Sequence, residues 1–197
     1  MFEAIQSWDL SVLHWIVEHV QCGFLDAVMP VITLFGEHGI FWMALTAILM
    51  IVPKTRKIGF SMALALALGF ALGNGAIKHL VDRIRPYALD PSLRSAVLDA
   101  HPLASFPGDS SFPSGHTLAS FECAVALFIR NRKWGVPALV LAVLIALSRL
   151  YLTVHFPTDV LAGAVLGSAI AVLSCMIVDF VYKKIGARKA AKTGKTE

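Results

Sequence analysis

Apolar runs alternate with short polar segments along most of the 197-residue chain. The runs cover residues 24–35, 40–52, 58–77, 117–129, 136–147 and 160–181. A helix that crosses the hydrocarbon core of a membrane needs roughly 20 apolar residues. Only the third and sixth runs reach that length without help from polar flanks or tilt. The pattern predicts an all-α integral membrane bundle of about six transmembrane helices.

The first two runs are short and lie close together. They are separated by the sequence GEHG at residues 36–39. Two glycines within four residues are typical of a tight turn or a helix break. The pattern therefore leaves two alternatives open, which are two short spans joined by a turn and one broken, re-entrant segment.

Residues 1–23 have the pattern of an amphipathic helix. Glu3, Asp9 and Glu18 lie between apolar residues that recur at helical spacing. The pattern predicts a helix in the membrane interface, and a helix packed on the bundle fits it as well. The predicted organisation is an N-terminal interfacial segment 1–23, a six-helix membrane domain 24–182 and a basic tail 183–197.

Composition and charge agree with a membrane protein. Hydrophobic residues make up 57% of the chain and charged residues 15%, which is too apolar for an ordinary soluble domain. Residues 53–57, 130–133 and the tail from Lys183 hold twelve of the 17 Lys and Arg residues. Because basic loops stay in the cytoplasm, we expect both termini to be cytoplasmic. The net charge of +4 then reflects the orientation in the membrane, and no nucleic-acid partner is expected. The basic tail from Lys183 is predicted to be disordered.

Cysteine and glycine spacing adds little chemistry. Cys22, Cys123 and Cys175 have no ligand-like spacing, so neither a disulfide nor a zinc site is expected. Two pairs of glycines four residues apart, in GFALG (69–73) and GAVLG (163–167), are typical of close packing between helices. We expect these contacts within one chain.

Candidate chemistry begins with SRLYLTVHFPTD at residues 148–159, between two apolar runs. Pro157 suits the first turn of a helix, which places His155 just before the helix and Asp159 in its first turn. An aspartate that accepts one imidazole N–H leaves the other nitrogen with a free lone pair. His155 is then a candidate nucleophile or base. The alternative is an interfacial histidine beside a helix-dipole partner, with no function.

Two further clusters fall on the same side of the predicted bundle. KHLVDRIRP (78–86) ends the third apolar helix, and SFPSGH (111–116) begins the fourth. The second cluster predicts a helix N-terminus capped by Ser114, with Gly115 allowing close approach to the backbone, which is a suitable anion site. Lys78, Arg85 and Arg149 would surround an oxyanion there, with His116 and His155 on either side.

These clusters resemble the three-part signature of the type 2 phosphatidic acid phosphatase family. The matching patterns are K-x6-RP at Lys78, Arg85 and Pro86, PSGH at residues 113–116, and SR-x5-H-x3-D at Ser148, Arg149, His155 and Asp159. Eleven specified positions occur in the family's order, and the resemblance also covers the six-helix layout.

The resemblance implies metal-free hydrolysis through a phosphohistidine. His155 would attack phosphorus and Asp159 would orient it, while His116 would protonate the leaving oxygen and later activate water. The phosphate would be held by Lys78, Arg85, Ser114, Gly115 and Arg149. Fixed cations supply the electrostatic stabilisation that phosphoryl transfer requires. No cofactor is expected, because the aspartates after the third helix are scattered and form no metal-binding pattern.

The substrate is expected to be a lipid phosphate whose tail stays among the membrane lipids. Undecaprenyl diphosphate at the outer leaflet is the first choice, followed by phosphatidylglycerol phosphate and phosphatidic acid. A transporter of lipid phosphate or anions is the alternative from another class, because intramembrane charges also line transport pathways. Arg83 is expected to be a rim or loop charge, with contact to a lipid headgroup as the alternative. Glu122 is expected either to make a structural hydrogen bond or to support the site.

Overall fold

The computed structural model describes residues 2–100 and 106–193, and these residues form helices and connecting segments without a strand. The helices are α1 (Phe2–His19), α2 (Gly23–Leu34), α3 (Ile40–Ile51), α4 (Arg56–Gly69), α5 (Lys78–Val81), α6 (Pro86–Leu89), α7 (Pro91–Ala100), α8 (Gly115–Arg130), α9 (Arg132–Tyr151) and α10 (Pro157–Thr193). A 3-10 turn, Glu37–Gly39, joins α2 to α3, and a π-helix, Phe70–Ile77, joins α4 to α5. The predicted all-α membrane fold is confirmed.

Within the described residues, four helical segments are long and apolar enough to cross a membrane. They are Gly23–Ile51, Arg56–Leu89, Arg132–Tyr151 and Pro157–Arg188. Helix α8 has 16 residues and packs between α4, α9 and α10 at the centre of the bundle. Each of the six predicted apolar runs therefore corresponds to helix in the structure.

The first two apolar runs form one broken segment. It matches neither alternative in full, because the break is present but the segment crosses the bundle once and is not re-entrant. The chain bends between α2 and α3, where His38 and Gly39 have φ angles of 48° and 67°. At one end of α2, Cys22 N–H donates to the Tyr151 hydroxyl at 3.3 Å. At its other end, the Thr33 hydroxyl accepts from Arg149 at 2.6 Å. Both ends of α2 thus lie beside the same end of α9, and α3 alone continues to the other end.

Close backbone contacts join α8 to α10. A Cβ atom on Gly163 would lie 2.9 Å from the Ser114 carbonyl oxygen, and one on Gly167 would lie 2.6 Å from the Leu118 carbonyl oxygen. Only glycine allows the two helix backbones to approach this closely. The expected close packing within one chain is confirmed for this pair of glycines.

The bundle has two chemically different ends. The motif end contains Lys78, Gly115 and Arg149, close to the ends of α5, α8 and α9. The basic end contains Lys57 and Arg130, both paired with Asp179. Because consecutive long helices run between these two ends, each end faces one side of the membrane.

Helix α1 lies at the motif end, so the prediction that both termini share the opposite side is wrong for this helix. Asp9 is 2.6 Å from Arg83, and His14 is 2.9 Å from Asp90. Leu13 is fully buried and packs in a cluster with Leu93 and Phe156. The other face of α1 is exposed at Trp8 and Trp15. The helix therefore combines the two expected features, an amphipathic pattern and packing on the bundle.

The basic tail differs from its prediction. Helix α10 continues through the membrane segment to Thr193, whereas disorder was expected from Lys183 onward. The sequence from Lys183 to Lys192 is rich in alanine, lysine and arginine, which have high helix propensity. That propensity outweighs repulsion between the positive charges as far as Thr193. Residues 194–197 lie outside the described part of the chain.

Candidate active site

A cavity of about 660 Å³ opens at the motif end of the bundle. The predicted residues that line it are Lys78, Arg85, Gly115, His116, Arg149 and His155. These residues come from segments that are far apart in the sequence. Lys78 and His155 line the same cavity and are 77 positions apart. The structure thus brings together six of the eight predicted site residues, while Ser114 and Asp159 lie behind the cavity wall.

His155 lies in the short connection between α9 and α10 and is 2% exposed. Its Nδ1 lies 2.8 Å from the backbone carbonyl oxygen of Ser111. Asp159 Oδ2 is 3.6 Å from the same nitrogen, too far for the hydrogen bond that the sequence predicted. The Ser111 carbonyl therefore fixes the imidazole, because it can only accept a proton from Nδ1. The Nε2 atom keeps its lone pair, as expected.

The surroundings of His155 favour the neutral imidazole. Burial lowers the pKa of His155 to about 4, helped by the charges of Arg149 and Arg85 and opposed by Asp159. The Arg85 guanidinium lies 3.3 Å from His155 Nε2. At neutral pH the ring therefore presents an unprotonated Nε2 beside a fixed cation, which is the form that can attack an electrophilic centre.

Asp159 contacts the site from the first turn of α10. It accepts the backbone N–H of Phe156 at 2.9 Å and the hydroxyl of Ser111 on Oδ2. This carboxylate thus caps the N-terminus of α10, and α10 begins at Pro157 as predicted. Its link to His155 passes through Ser111, whose hydroxyl binds Asp159 and whose carbonyl binds the imidazole.

Arg83 lies in the connection between α5 and α6, but its side chain forms ion pairs with two carboxylates and is not the free rim or loop charge that was expected. Its Nη1 donates to Asp159 Oδ1 at 2.6 Å, and its Nη2 donates to Asp9 at 2.6 Å. Arg83 thus lies between two fully buried carboxylates. Sequence reasoning missed Asp9 because it lies 74 positions away from Arg83.

Two of the three predicted phosphate-binding cations share a carboxylate partner. Asp109 accepts from Lys78 through Oδ2 and from Arg85 through Oδ1. Partial burial alone would raise the pKa of Asp109, but the Lys78 hydrogen bond and the Arg85 charge lower it to about 2. The carboxylate therefore stays ionised at neutral pH and contacts the groups that a phosphate would use.

The Arg149 side chain is buried, and only some of its N–H donors have a hydrogen-bond partner in the described part of the chain. Its Nη1 donates to Thr33 on α2 at 2.6 Å. Its Nε has no hydrogen-bond partner among the described residues. A buried donor without an acceptor is costly, and Arg149 lines the cavity. An anion bound in the cavity would supply the missing acceptor.

The N-terminus of α8 faces the same cavity. Ser114 is at the N-cap position, but its side chain does not cap the helix and instead accepts a hydrogen bond from Thr117 at 3.0 Å. Among the described residues the Ser114 O–H is left free to donate, so its contact with phosphate stays a prediction. Gly115 lines the cavity, where the helix dipole favours an anion.

His116 has an acidic neighbour that the sequence did not reveal. Its Nε2 lies 3.3 Å from Glu37 Oε2. Glu37 belongs to the 3-10 turn between α2 and α3, where the sequence predicts only a turn or a break. Burial, helped by the charges of Arg149 and Arg85, lowers the pKa of His116 to about 2, so these surroundings favour the neutral ring. The negative charge of a bound phosphate would favour the protonated form that a general acid needs.

Glu122 lies deeper in the cavity wall, on α8. It is 2% exposed, and its Oε2 has no hydrogen-bond partner among the described residues. Gly69 on α4 makes room for it, because a Cβ atom there would lie 1.9 Å from Glu122 Oε2. The expected structural hydrogen bond is not made, and Glu122 faces the cavity instead.

Comparison with known proteins shows which family the chain belongs to. The PAP2 superfamily model matches residues 54–183. A protein named undecaprenyl-diphosphatase from Sulfolobus acidocaldarius is 33% identical over 163 residues, or 82% of this chain and 75% of its own. A protein named bacitracin transport permease protein BcrC from Bacillus licheniformis is 30% identical over 159 residues, or 79% of this chain and 72% of its own.

The fold is similar to that of a solved membrane phosphatase. The crystal structure of a transmembrane PAP2-type phosphatidylglycerolphosphate phosphatase from Bacillus subtilis aligns with a TM-score of 0.66 at 28% identity. The alignment covers 92% of this chain and 88% of that one. With a matching family model over most of the chain and relatives of the same architecture, the chain belongs to the PAP2 superfamily and is a membrane lipid phosphatase.

Proposed function

We propose that the protein removes the terminal phosphate from a long-chain isoprenoid diphosphate, with undecaprenyl diphosphate as the substrate and with no metal ion. The observation that carries this proposal is the convergence of three cations, two histidines and a helix N-terminus on one cavity at the motif end. The relative from Sulfolobus acidocaldarius, which is named for this substrate, supports the choice. Three fixed positive charges and backbone donors stabilise a transferring phosphoryl group.

The first step forms a bond between His155 Nε2 and the terminal phosphorus. The bond from phosphorus to the leaving oxygen breaks, and the lipid monophosphate departs with its electron pair. His116 donates a proton to that oxygen and becomes neutral, so it can accept a proton in the second step. Lys78, Arg85 and Arg149 hold the remaining phosphoryl oxygens, which places the phosphorus against the neutral imidazole beside Arg85.

The second step returns the enzyme to its starting form. A water molecule attacks the phosphorus and gives a proton to His116, the bond to His155 Nε2 breaks, and inorganic phosphate leaves. The histidine nitrogen that was fixed by Ser111 does not take part in either bond. Asp159 supports the positive charge that develops on the ring during the first step.

Charge placement supports an active site on the outer face of the cytoplasmic membrane. Residues 53–57, 130–133 and the tail from Lys183 contain twelve of the 17 Lys and Arg residues, and all lie towards the basic end. Residues 1–53 contain neither Lys nor Arg, so no positive charge holds α1 in the cytoplasm. We infer that α1 and the motif end face outward and that the end of α10 faces the cytoplasm.

Thiol labelling of intact cells tests this orientation. Single cysteines replace Gln6, Ser92 or Thr193 in a background that lacks the three native cysteines. A membrane-impermeant reagent should label Gln6→Cys and Ser92→Cys and leave Thr193→Cys unlabelled until the cells are broken. The reverse pattern would place the cavity on the cytoplasmic side and exclude an outer-leaflet substrate.

Phosphate release by the detergent-purified protein tests the reaction itself. The substrates are isoprenoid diphosphates, phosphatidylglycerol phosphate and phosphatidic acid, each with and without EDTA, and His155→Ala is the inactive control. We expect release from the isoprenoid diphosphate to be fastest and unchanged by EDTA. Activity that EDTA removes and magnesium restores would refute the metal-free mechanism. Faster phosphate release from a glycerolipid would refute undecaprenyl diphosphate as the substrate and make that glycerolipid the substrate instead.

A transporter is the second candidate, because one relative is named a transport permease protein. Apart from Glu122, the charged cavity-lining residues gather at the motif end instead of continuing through the bundle. A transport pathway needs polar groups across the whole membrane. A purified protein that binds lipid phosphate and releases no inorganic phosphate in detergent would favour transport over hydrolysis.

A further inference from the structure

Helix α1 inserts a buried acid into the motif end. Asp9 is fully buried. Its Oδ1 accepts the backbone N–H of Thr158 at 3.0 Å, and its Oδ2 accepts the Thr158 hydroxyl and Arg83 Nη2, both at 2.6 Å. A buried carboxylate is tolerated only with such partners. Thr158 lies in the first turn of α10, so the positive end of that helix dipole adds to them.

Arg83 connects this acid to the active site. One arm of its guanidinium binds Asp9, and the other binds Asp159 at 2.6 Å and the Thr158 hydroxyl at 2.7 Å. The group also lies over the ring of Phe156, 4.0 Å from its centre. A planar fork held at three points has little freedom to rotate. The position of Asp159 Oδ1 therefore depends on a residue whose own position depends on α1.

The contacts continue to the nucleophile. Asp159 binds the Ser111 hydroxyl with its other oxygen, and the Ser111 carbonyl binds His155 Nδ1. An unbroken series of hydrogen bonds thus runs from α1 to the imidazole. Every carboxylate in this series is fully buried, where solvent screening is weakest.

We propose that Asp9 and Arg83 are positioning residues for the reaction, and that α1 completes the active site by fixing Asp159 through Arg83. This inference rests on the proposed roles of His155 and Asp159. It assigns to the N-terminal segment a task beyond lying in the membrane interface. It also explains why an amphipathic helix carries an acid on the face that packs against the bundle.

The two residues carry opposite charges, so their removal should have opposite electrostatic effects. Loss of the negative charge of Asp9 makes the surroundings of His155 more positive and disfavours the imidazolium. Loss of the positive charge of Arg83 favours the imidazolium form of His155. The other charged or titratable groups of the cavity that His155 lines are the same in both variants; they are Glu37, His38, Lys78, Arg85, Asp109, His116, Glu122 and Arg149.

The experiment compares Asp9→Asn, Arg83→Gln and Arg83→Lys in the full-length protein. We expect Asp9→Asn and Arg83→Gln to lower kcat roughly ten- to a hundredfold, because small misplacements of reacting groups have effects of that size. The KM value should change much less. The acid limb of kcat/KM should move to lower pH in Asp9→Asn and to higher pH in Arg83→Gln. Each pH profile of kcat/KM is divided by that of the wild type. The titration of the substrate phosphate then cancels, because it is the same for every variant.

Arg83→Lys separates charge from geometry. It keeps the positive charge but loses the fork that reaches both carboxylates. We expect a lower kcat with an acid limb at the wild-type position. If Asp9→Asn does not fold, the contrast between Arg83→Lys and Arg83→Gln still decides the question.

The chain offers a matched control for the attachment of α1. His14 is 2.9 Å from Asp90, so this pair also ties α1 to the motif end, but its side chains are 39% and 28% exposed and do not contact Asp159. His14→Gln should therefore leave kcat within about twofold of wild type, as expected for an exposed pair. Its pH profile should not move.

Equal losses in Asp9→Asn and His14→Gln would show that α1 acts only as a structural attachment. Acid limbs that do not separate between Asp9→Asn and Arg83→Gln would also overturn the proposal. Failure of the proposed function looks different, because the wild-type protein itself would then release no phosphate. In that case the positioning role is refuted with it.

Discussion

The two ends of the bundle hold ion networks of similar composition in very different surroundings. At the motif end, Arg83 lies between Asp9 and Asp159, whose side chains are both 0% exposed. At the basic end, Asp179 lies between Lys57 and Arg130, and its side chain is 50% exposed. The distances are alike, at 2.5 to 2.7 Å in both networks.

Burial therefore separates the two networks, and distance does not. Exposed ion pairs are screened by water and contribute little to stability. Breaking a buried pair leaves an uncompensated charge in a medium of low dielectric constant, which is strongly destabilising. Of the two networks, the structure thus keeps costly buried charges at the end where the cavity lies. That cost is typical of functional sites.

The largest effects should come from the two histidines at the motif end. His155→Ala should remove turnover with every leaving group, because no nucleophile remains. His116→Ala should slow a lipid monophosphate on the order of 10²- to 10⁴-fold, the usual contribution of a general acid. The loss should be smaller for a diphosphate or an aryl phosphate, whose leaving groups need less protonation. Single-turnover kinetics on both kinds of substrate measure this difference.

Helical content by circular dichroism and elution in detergent check that both histidine variants remain folded. Equal losses for good and poor leaving groups in His116→Ala would contradict its role as general acid. Full turnover in His155→Ala would remove the proposed nucleophile.

An intermediate effect is expected at Asp109, which pairs with two phosphate-binding cations. Asp109→Asn removes a carboxylate that competes with an incoming anion, so vanadate or phosphate should bind roughly two- to fivefold more tightly, a change in keeping with a half-exposed pair. Because the pKa of Asp109 is about 2, the carboxylate is ionised far below neutral pH. The effect should therefore be constant from weakly acidic to neutral pH.

Inhibition constants for vanadate, measured in wild type and in Asp109→Asn, give the change in anion affinity directly. Asp90→Asn is a suitable comparison, because Asp90 also lies at the motif end and binds Ser92 and His14 instead of the cations. Weaker binding of vanadate in Asp109→Asn would mean that Asp109 helps to build the anion site.

The smallest effect is expected at the basic end. Asp179→Asn breaks both exposed ion pairs, and the free energy of unfolding should change by less than about 1 kcal/mol. Arg130 keeps hydrogen bonds to Ser61 and to the Cys175 carbonyl. The kcat value should be that of the wild type. Thermal unfolding in detergent and phosphate release measure the two quantities, and a large loss of activity would show that the ends are coupled.

Sequence patterns were sufficient for the parts of the site that local rules describe. Apolar runs indicated the helices, and Pro157 indicated where α10 begins. The spacing of His155 and Asp159 placed both residues at that helix start, although the hydrogen bond predicted between them is not made. Each of these features depends on neighbours within a few residues.

The rest of the site depends on contacts between distant segments. Thr33 binds Arg149 across 116 positions, and Glu37 binds His116 across 79. The group that fixes His155 is a backbone carbonyl at Ser111, and every residue type has that group. Such contacts leave no mark on the local sequence, so they became visible only in the folded chain.

Trapping of the phosphorylated enzyme tests the central claim most directly. Wild-type protein is mixed with an isoprenoid diphosphate radiolabelled at its terminal phosphate, quenched in alkali and digested into peptides. We predict an acid-labile, base-stable label on the peptide that contains His155. Label on His116, label with the stability of an acyl phosphate, or rapid turnover with no labelled peptide would each contradict the proposed nucleophile.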